Sequence, residues 1–113
     1  MITVYGIKNC DTVKKACNWL TKNNINYQFH DFRKDGLTQN KVKQWFGKTD
    51  WEILLNRRGT TWRKLSDNEK DSINKTKAIK LMVDQPTLIK RPVIEHNDNV
   101  IVGFSEDIYK QQF

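Results

Sequence analysis

An α/β fold built on a mixed sheet is expected from three observations: a strand–helix–strand pattern over residues 2–32, a helical middle, and two β-branched runs near the end of the chain. A parallel βαβ unit would thus be joined to an antiparallel hairpin, with helices inserted between them. One domain is expected at 113 residues. Within it, a sheet core over about 1–33 and 87–113 would enclose a helical insertion over about 37–85.

Ile2-Thr3-Val4-Tyr5 reads as the first strand, rich in β-branched and aromatic residues, and Gly6 to Asp11 as the loop after it. Asp11 or Thr12 is the expected cap of a helix that ends near Lys22-Asn23-Asn24. From Ile25 to Phe32 apolar and polar residues alternate, the pattern of a half-buried strand. Such a βαβ unit is parallel and right-handed, which puts the loop carrying Cys10 at the carboxyl end of the sheet, where open α/β folds bind ligands.

After a turn at Lys34-Asp35-Gly36 the spacing becomes helical. Thr38 is a cap, and Val42, Trp45 and Phe46 lie on one face of the helix it starts. Asp50 opens a second helix over Trp51 to Leu55, and Ser66 to Glu69 has the spacing of a capping box for a third. Ala78, Leu81 and Met82 mark a fourth, ending before Pro86. Helical spacing explains the aromatic residues here as packing, without a cofactor. Pro92 to His96 and Val100 to Gly103 are strands joined by a turn at Asn97-Asp98-Asn99, and Ser105 caps a terminal helix with Glu106 and Asp107 in its first turn.

The net charge of +7, from 20 Lys and Arg against 13 Asp and Glu, favours anionic partners: a small anion, an acidic peptide or an acidic protein surface. The bases are spread over several segments without a basic tail, so nucleic acid is not the expected partner. No apolar run approaches the ~20 residues of a membrane span, and the first residues read as a strand rather than a signal peptide. A cytoplasmic location, away from membranes, is expected. Cys10, Cys17, His30 and His96 match no standard zinc spacing, and Gly6 stands alone rather than in a phosphate-binding loop.

Cys10 is the candidate nucleophile. It stands at the start of a helix, where the peptide dipole and unpaired N–H groups favour thiolate. Cys17 lies seven residues on, roughly 10 Å along a helix axis, whereas a disulfide needs Cα atoms within about 7 Å. It also falls in the apolar series Val13, Ala16, Cys17, Leu20 and is expected in the core. The clearest cationic group is Asn56-Arg57-Arg58-Gly59-Thr60-Thr61-Trp62-Arg63, followed later by Lys90-Arg91. Arginine forks suit carboxylates and oxyanions and stabilise a nearby thiolate; from spacing alone, these arginines fit a solvated basic face equally well.

Four separated stretches carry a resemblance: Tyr5-Gly6-Ile7-Lys8-Asn9-Cys10-Asp11-Thr12, Leu54 to Leu65, Ile89-Lys90-Arg91-Pro92 and Val102-Gly103-Phe104-Ser105. Together they resemble the ArsC/Spx family of arsenate reductase-like proteins and, within it, the YffB-like branch. The resemblance implies a thioredoxin-like fold with an inserted helical subdomain. It also implies that Pro92 takes the place of the proline, commonly cis, that faces the active-site cysteine, with Arg91 beside Cys10.

Carried over by position, Cys10 matches the nucleophile of the arsenate reductases and Arg91 an oxyanion-binding arginine. Arg58 matches the arginine of a Thr-Arg-Gly stretch in YffB-like proteins, with Arg57 here in place of the threonine. The chain departs from the arsenate reductases near Gly103 and Asn56, where further family arginines align, and it has Val13 where redox-switched Spx regulators complete a Cys-x-x-Cys. The implied activity is that of a glutathione-dependent thiol-disulfide oxidoreductase with Cys10, Arg58 and Arg91 as catalytic residues. Asn9, Thr12, Arg57 and Pro92 would line the substrate site. No bound cofactor or metal is expected, and glutathione would serve as co-substrate with a thiol-reactive or oxyanion substrate. The alternative is an Spx-like, non-enzymatic regulator that contacts RNA polymerase; arsenate reduction stands third.

Overall fold

The computed structural model describes residues 2–113. In chain order its first elements are β1 (Ile2–Gly6), α1 (Asp11–Lys22), β2 (Tyr27–Asp31) and the short α2 (Phe32–Asp35). There follow α3 (Gln39–Phe46), α4 (Trp51–Leu54), α5 (Thr60–Lys64), α6 (Asp67–Asp71) and α7 (Lys75–Asp84), then a 3-10 turn at Pro86–Leu88. The chain closes with β3 (Val93–His96), β4 (Asn99–Val102) and α8 (Glu106–Gln112). It divides into two compact units, one made of the described residues up to Gly36 together with Arg91–Phe113, the other of Leu37–Lys90.

The first unit is a four-stranded mixed sheet in the order β2-β1-β3-β4. β1 runs parallel to β2, and β3 runs antiparallel to both β1 and β4. A parallel βαβ unit joined to an antiparallel hairpin in this order is the thioredoxin-like arrangement. Strand alternation builds its core: Ile2 and Val4 point to the same side as Ile94 and Ile101, because the register pairs Val4 with Ile94 and Ile94 with Ile101. Ala16 and Leu20 of α1 and Tyr109 of α8 complete that buried cluster. A fully buried aliphatic side chain of this kind contributes roughly 1.5–3 kcal/mol.

Several boundaries differ from the sequence reading. β2 is shorter than the alternating run and lies at an edge of the sheet, where Phe29 remains 37% exposed. Phe32 is helical rather than extended, because the Asp31 side chain accepts a hydrogen bond from Arg33 N at 2.9 Å and caps α2, a short helix in place of the expected strand end. The hairpin turn is two residues long, with Asn97 and Asp98 both at positive φ (49° and 66°) as in a type I′ turn, and Asn99 is already in β4.

In the second unit Val42, Trp45 and Phe46 are buried on one face of α3, which Thr38 caps. Asp50 caps α4, and Leu55 leaves that helix to form a bridge with Ile89. Ser66 and Glu69 form the reciprocal capping box of α6. In α7 the buried residues are Ala78, Ile79 and Met82, and Leu81 is only half-buried. Helix α5 was not expected, since Thr60, Thr61 and Trp62 are modest helix formers.

Candidate active site around Cys10

β1 leads directly into the site. Ile7 is buried and anchors the loop, Lys8 and Asn9 are exposed, and Cys10 follows, half-buried. Neither Asp11 nor Thr12 caps α1. Both are already helical, and the N-cap is Cys10 itself, with φ −114° and ψ 124°. Its carbonyl accepts from Lys14 N at 2.9 Å, closing the first turn. The position that usually holds a serine, threonine or aspartate oxygen thus holds sulfur.

That substitution matters because a neutral thiol is a weak acceptor and a thiolate a strong one. No side-chain capping hydrogen bond is completed at this helix start, so the first-turn amides are left to favour the charged form. Burial by itself would raise the Cys10 pKa. Against it act the backbone N–H of Val13, the Arg91 guanidinium through a hydrogen bond and its charge, and the backbone N–H of Thr12; together they hold the thiol below its ordinary value.

Arg91 reaches Cys10 through the sheet register. Tyr5 near the end of β1 pairs with Val93 at the start of β3, so the Arg91-Pro92 segment lies beside the loop that follows β1. The Arg91-Pro92 peptide bond is cis, and Pro92 is fully buried. The segment is also braced from behind. Gly103 N donates to the Pro92 carbonyl at 2.8 Å, and the buried Tyr109 hydroxyl donates to the Gly103 carbonyl at 2.7 Å. Gly103 has φ 81°, a conformation that glycine adopts without the penalty of a side chain. Burial pushes the Tyr109 phenol well above its usual range, with the Cys17 charge adding to the shift, so the hydroxyl remains a donor across working pH.

The remaining sequence-predicted residues occupy different places. Thr12 acts through its amide, and Asn9 stands exposed next to Cys10. Arg57 and Arg58 belong to the second unit, in the exposed loop between α4 and α5. There the Arg57 guanidinium lies 5.5 Å from the centre of the Trp62 ring, a cation–π contact. Arg58 N donates to Asn56 Oδ1 at 3.2 Å, and the Arg58 carbonyl accepts from Arg63 Nη2 at 3.3 Å. The loop is pinned upstream by Asn56 N donating to the Leu88 carbonyl at 2.7 Å.

Cys17 is half-buried rather than fully in the core, packed against the apolar cluster of the first unit. Burial raises its pKa, and a hydrogen bond with Tyr27 only partly opposes that.

The model of the ArsC family matches residues 5–112. The chain belongs to the ArsC family. An uncharacterized protein of Haemophilus influenzae is 49% identical over 113 residues, covering 100% of this chain and 99% of its own. Among solved structures, a YffB protein superposes with a TM-score of 0.94 at 42% identity, covering 98% of this chain and 97% of that one. An arsenate reductase-related protein of Brucella melitensis gives 0.81 at 44%, with 97% and 92% covered. The global transcriptional regulator Spx of Streptococcus mutans is 27% identical over 109 residues, 95% of this chain and 79% of its own.

For this ArsC-family chain the sequence points to unpaired amides at the helix start without singling out Val13, and it gives Gly103 and Tyr109 no bracing role. No signal in the sequence marks Tyr109. Gly103 had one, a lone glycine directly after a strand, which marks a turn or a close approach.

Proposed function

We propose that the protein is a glutathione-dependent thiol-disulfide oxidoreductase with Cys10 as its single nucleophile. The observation that carries the reading is Cys10 as the N-cap of α1, with the Val13 and Thr12 amides and the Arg91 guanidinium all favouring its thiolate. The Cys10 thiolate attacks one sulfur of a substrate disulfide, forming a Cys10–substrate mixed disulfide and releasing the other sulfur as thiolate. A glutathione thiolate then attacks the substrate-derived sulfur of that mixed disulfide, regenerating the Cys10 thiolate and leaving a glutathione–substrate disulfide. With glutathione disulfide as the first substrate, the same two steps run through a Cys10–glutathione adduct.

The second thiol comes from outside, because Val13 stands where an internal partner would be and Cys17 lies two helical turns away. Arg91 supplies a planar fork for a carboxylate of glutathione as well as charge for the thiolate. Asn9, exposed next to Cys10, lines the substrate site in this reading. The test is titration of the thiolate by its ultraviolet absorbance, combined with intact mass after incubation in glutathione disulfide. A Cys10 pKa near the free value of ~8.5 and no adduct would overturn the proposal.

A competing reading, a regulator that binds an acidic protein, is favoured by the 27% identity to Spx over most of the chain and by the net charge of +7. Stoichiometric partner binding retained by Cys10→Ser, with no turnover in the native protein, would favour it over the enzyme.

A further inference from the structure

Gly6 is the last residue of β1, buried, and outside the left-handed region of backbone space, so its own conformation does not demand glycine. The space around it does. A Cβ at position 6 would lie 2.8 Å from Val13 Cγ2, 3.4 Å from Cγ1 and 3.7 Å from the Val13 Cβ. Valine in a helix is held almost wholly in one χ1 rotamer, so the side chain cannot easily swing aside. Val13 is itself buried and sits in the first turn of α1. Any group larger than hydrogen at position 6 therefore displaces the start of the helix relative to the strand.

We propose that Gly6 is a positioning residue: its missing Cβ lets Val13 seat against the end of β1, and that seat fixes how closely the first-turn amides approach the Cys10 sulfur. The inference rests on the reading that Cys10 reacts as a thiolate. Hydrogen-bond strength falls steeply with distance and angle, so a displacement of a few tenths of an ångström is enough to weaken the amides' preference for the charged form. Neither Gly6 nor the Val13 side chain touches the reacting atoms, and both act through the Val13 N–H. The same contact gives the lone glycine ahead of Cys10 a physical role unrelated to phosphate binding.

Because the clash is with the two γ-methyls, removing them should cure it. With alanine at both positions, the remaining approach is the 3.7 Å Cβ–Cβ distance, ordinary van der Waals contact. The experiment compares four proteins, the native chain, Gly6→Ala, Val13→Ala and the double variant, by the midpoint of thiolate formation and the rate of alkylation at pH 6.5. Gly6→Ala is expected to raise the midpoint and slow alkylation roughly three- to tenfold, the effect of weakening one charge-assisted hydrogen bond. Val13→Ala reports what loss of the γ-methyls does by itself and is the reference for the double variant. Gly6→Ala should raise the midpoint in the native background but not in the Val13→Ala background, so the double variant and Val13→Ala should share one midpoint.

An unchanged midpoint in Gly6→Ala, or a midpoint in the double variant raised above that of Val13→Ala, would overturn the inference while leaving the oxidoreductase reading intact. A native midpoint already near ~8.5 would instead defeat that reading itself. Should Gly6→Ala fail to fold, the double variant decides against Val13→Ala: folding with an equal midpoint supports the positioning role, and a higher midpoint overturns it.

Discussion

Cys10 and Cys17 share one helix and one solvent, yet the fold drives their acidities in opposite directions. Cys10 stands at the open end of α1, where amides have no intrahelical partner. Cys17 sits mid-helix, where every amide is already used and the neighbouring group is a phenol. Burial opposes thiolate at both positions; only at Cys10 do backbone donors and a guanidinium outweigh it. Thiol acidity in this chain is therefore set by position along a helix more than by the local sequence.

The sharpest way to break that comparison is to remove each sulfur in turn. Under the proposed activity, Cys10→Ser is expected to form no glutathione adduct by intact mass, whereas Cys17→Ser should form it in full; an adduct on the Cys10→Ser protein would reverse the assignment of roles. Next in size is Arg91→Met. Losing both the charge and the hydrogen bond should raise the Cys10 midpoint by about one unit or more, close to a tenfold loss of thiolate at neutral pH. Arg91→Lys should fall between, since an ammonium restores charge without the planar fork.

Linkage provides a third test with opposite signs at the two sites. A thiol whose folded pKa is lowered contributes stability that is present above its unfolded pKa and lost as pH falls through the folded one. The raised thiol does the reverse, and its contribution is lost as pH rises from the unfolded pKa towards the folded one. Denaturant unfolding at pH 7 and pH 9 should therefore show the native protein gaining on Cys10→Ser and losing ground to Cys17→Ser as pH rises. The smallest expected effect is from Tyr27→Phe, which removes the hydrogen bond that partly lowers Cys17. A further rise of a few tenths of a unit in the Cys17 midpoint is expected, with Cys10 unmoved, measured by site-resolved alkylation and peptide mapping.

Legibility followed the range of the interaction. The capping box at Ser66 and Glu69, the Thr38 and Ser105 caps, and the β-branched β3 and β4 runs are local signals, and each forms in the structure. The four family-like stretches imply the thioredoxin-like sheet, and that sheet forms. What stayed hidden depends on neighbours distant in sequence or on the backbone. Asp11 and Thr12 look like better caps than a cysteine, yet the strand-to-helix turn places Cys10 at that position. The Phe29 side chain looks half-buried until β2 proves to be an edge strand. Helix α5 forms from Thr60, Thr61 and Trp62 despite weak propensity, in a segment where Thr61 also hydrogen-bonds Thr87 of the 3-10 turn.

The brace behind Arg91 gives the molecule a built-in gauge. Because the Gly103 amide donates to the Pro92 carbonyl, its hydrogen–deuterium exchange reports whether the segment carrying Arg91 is seated. Slow exchange at that one proton, followed while thiols or disulfides are added, would read the opening of this segment on a clock independent of any reaction at sulfur.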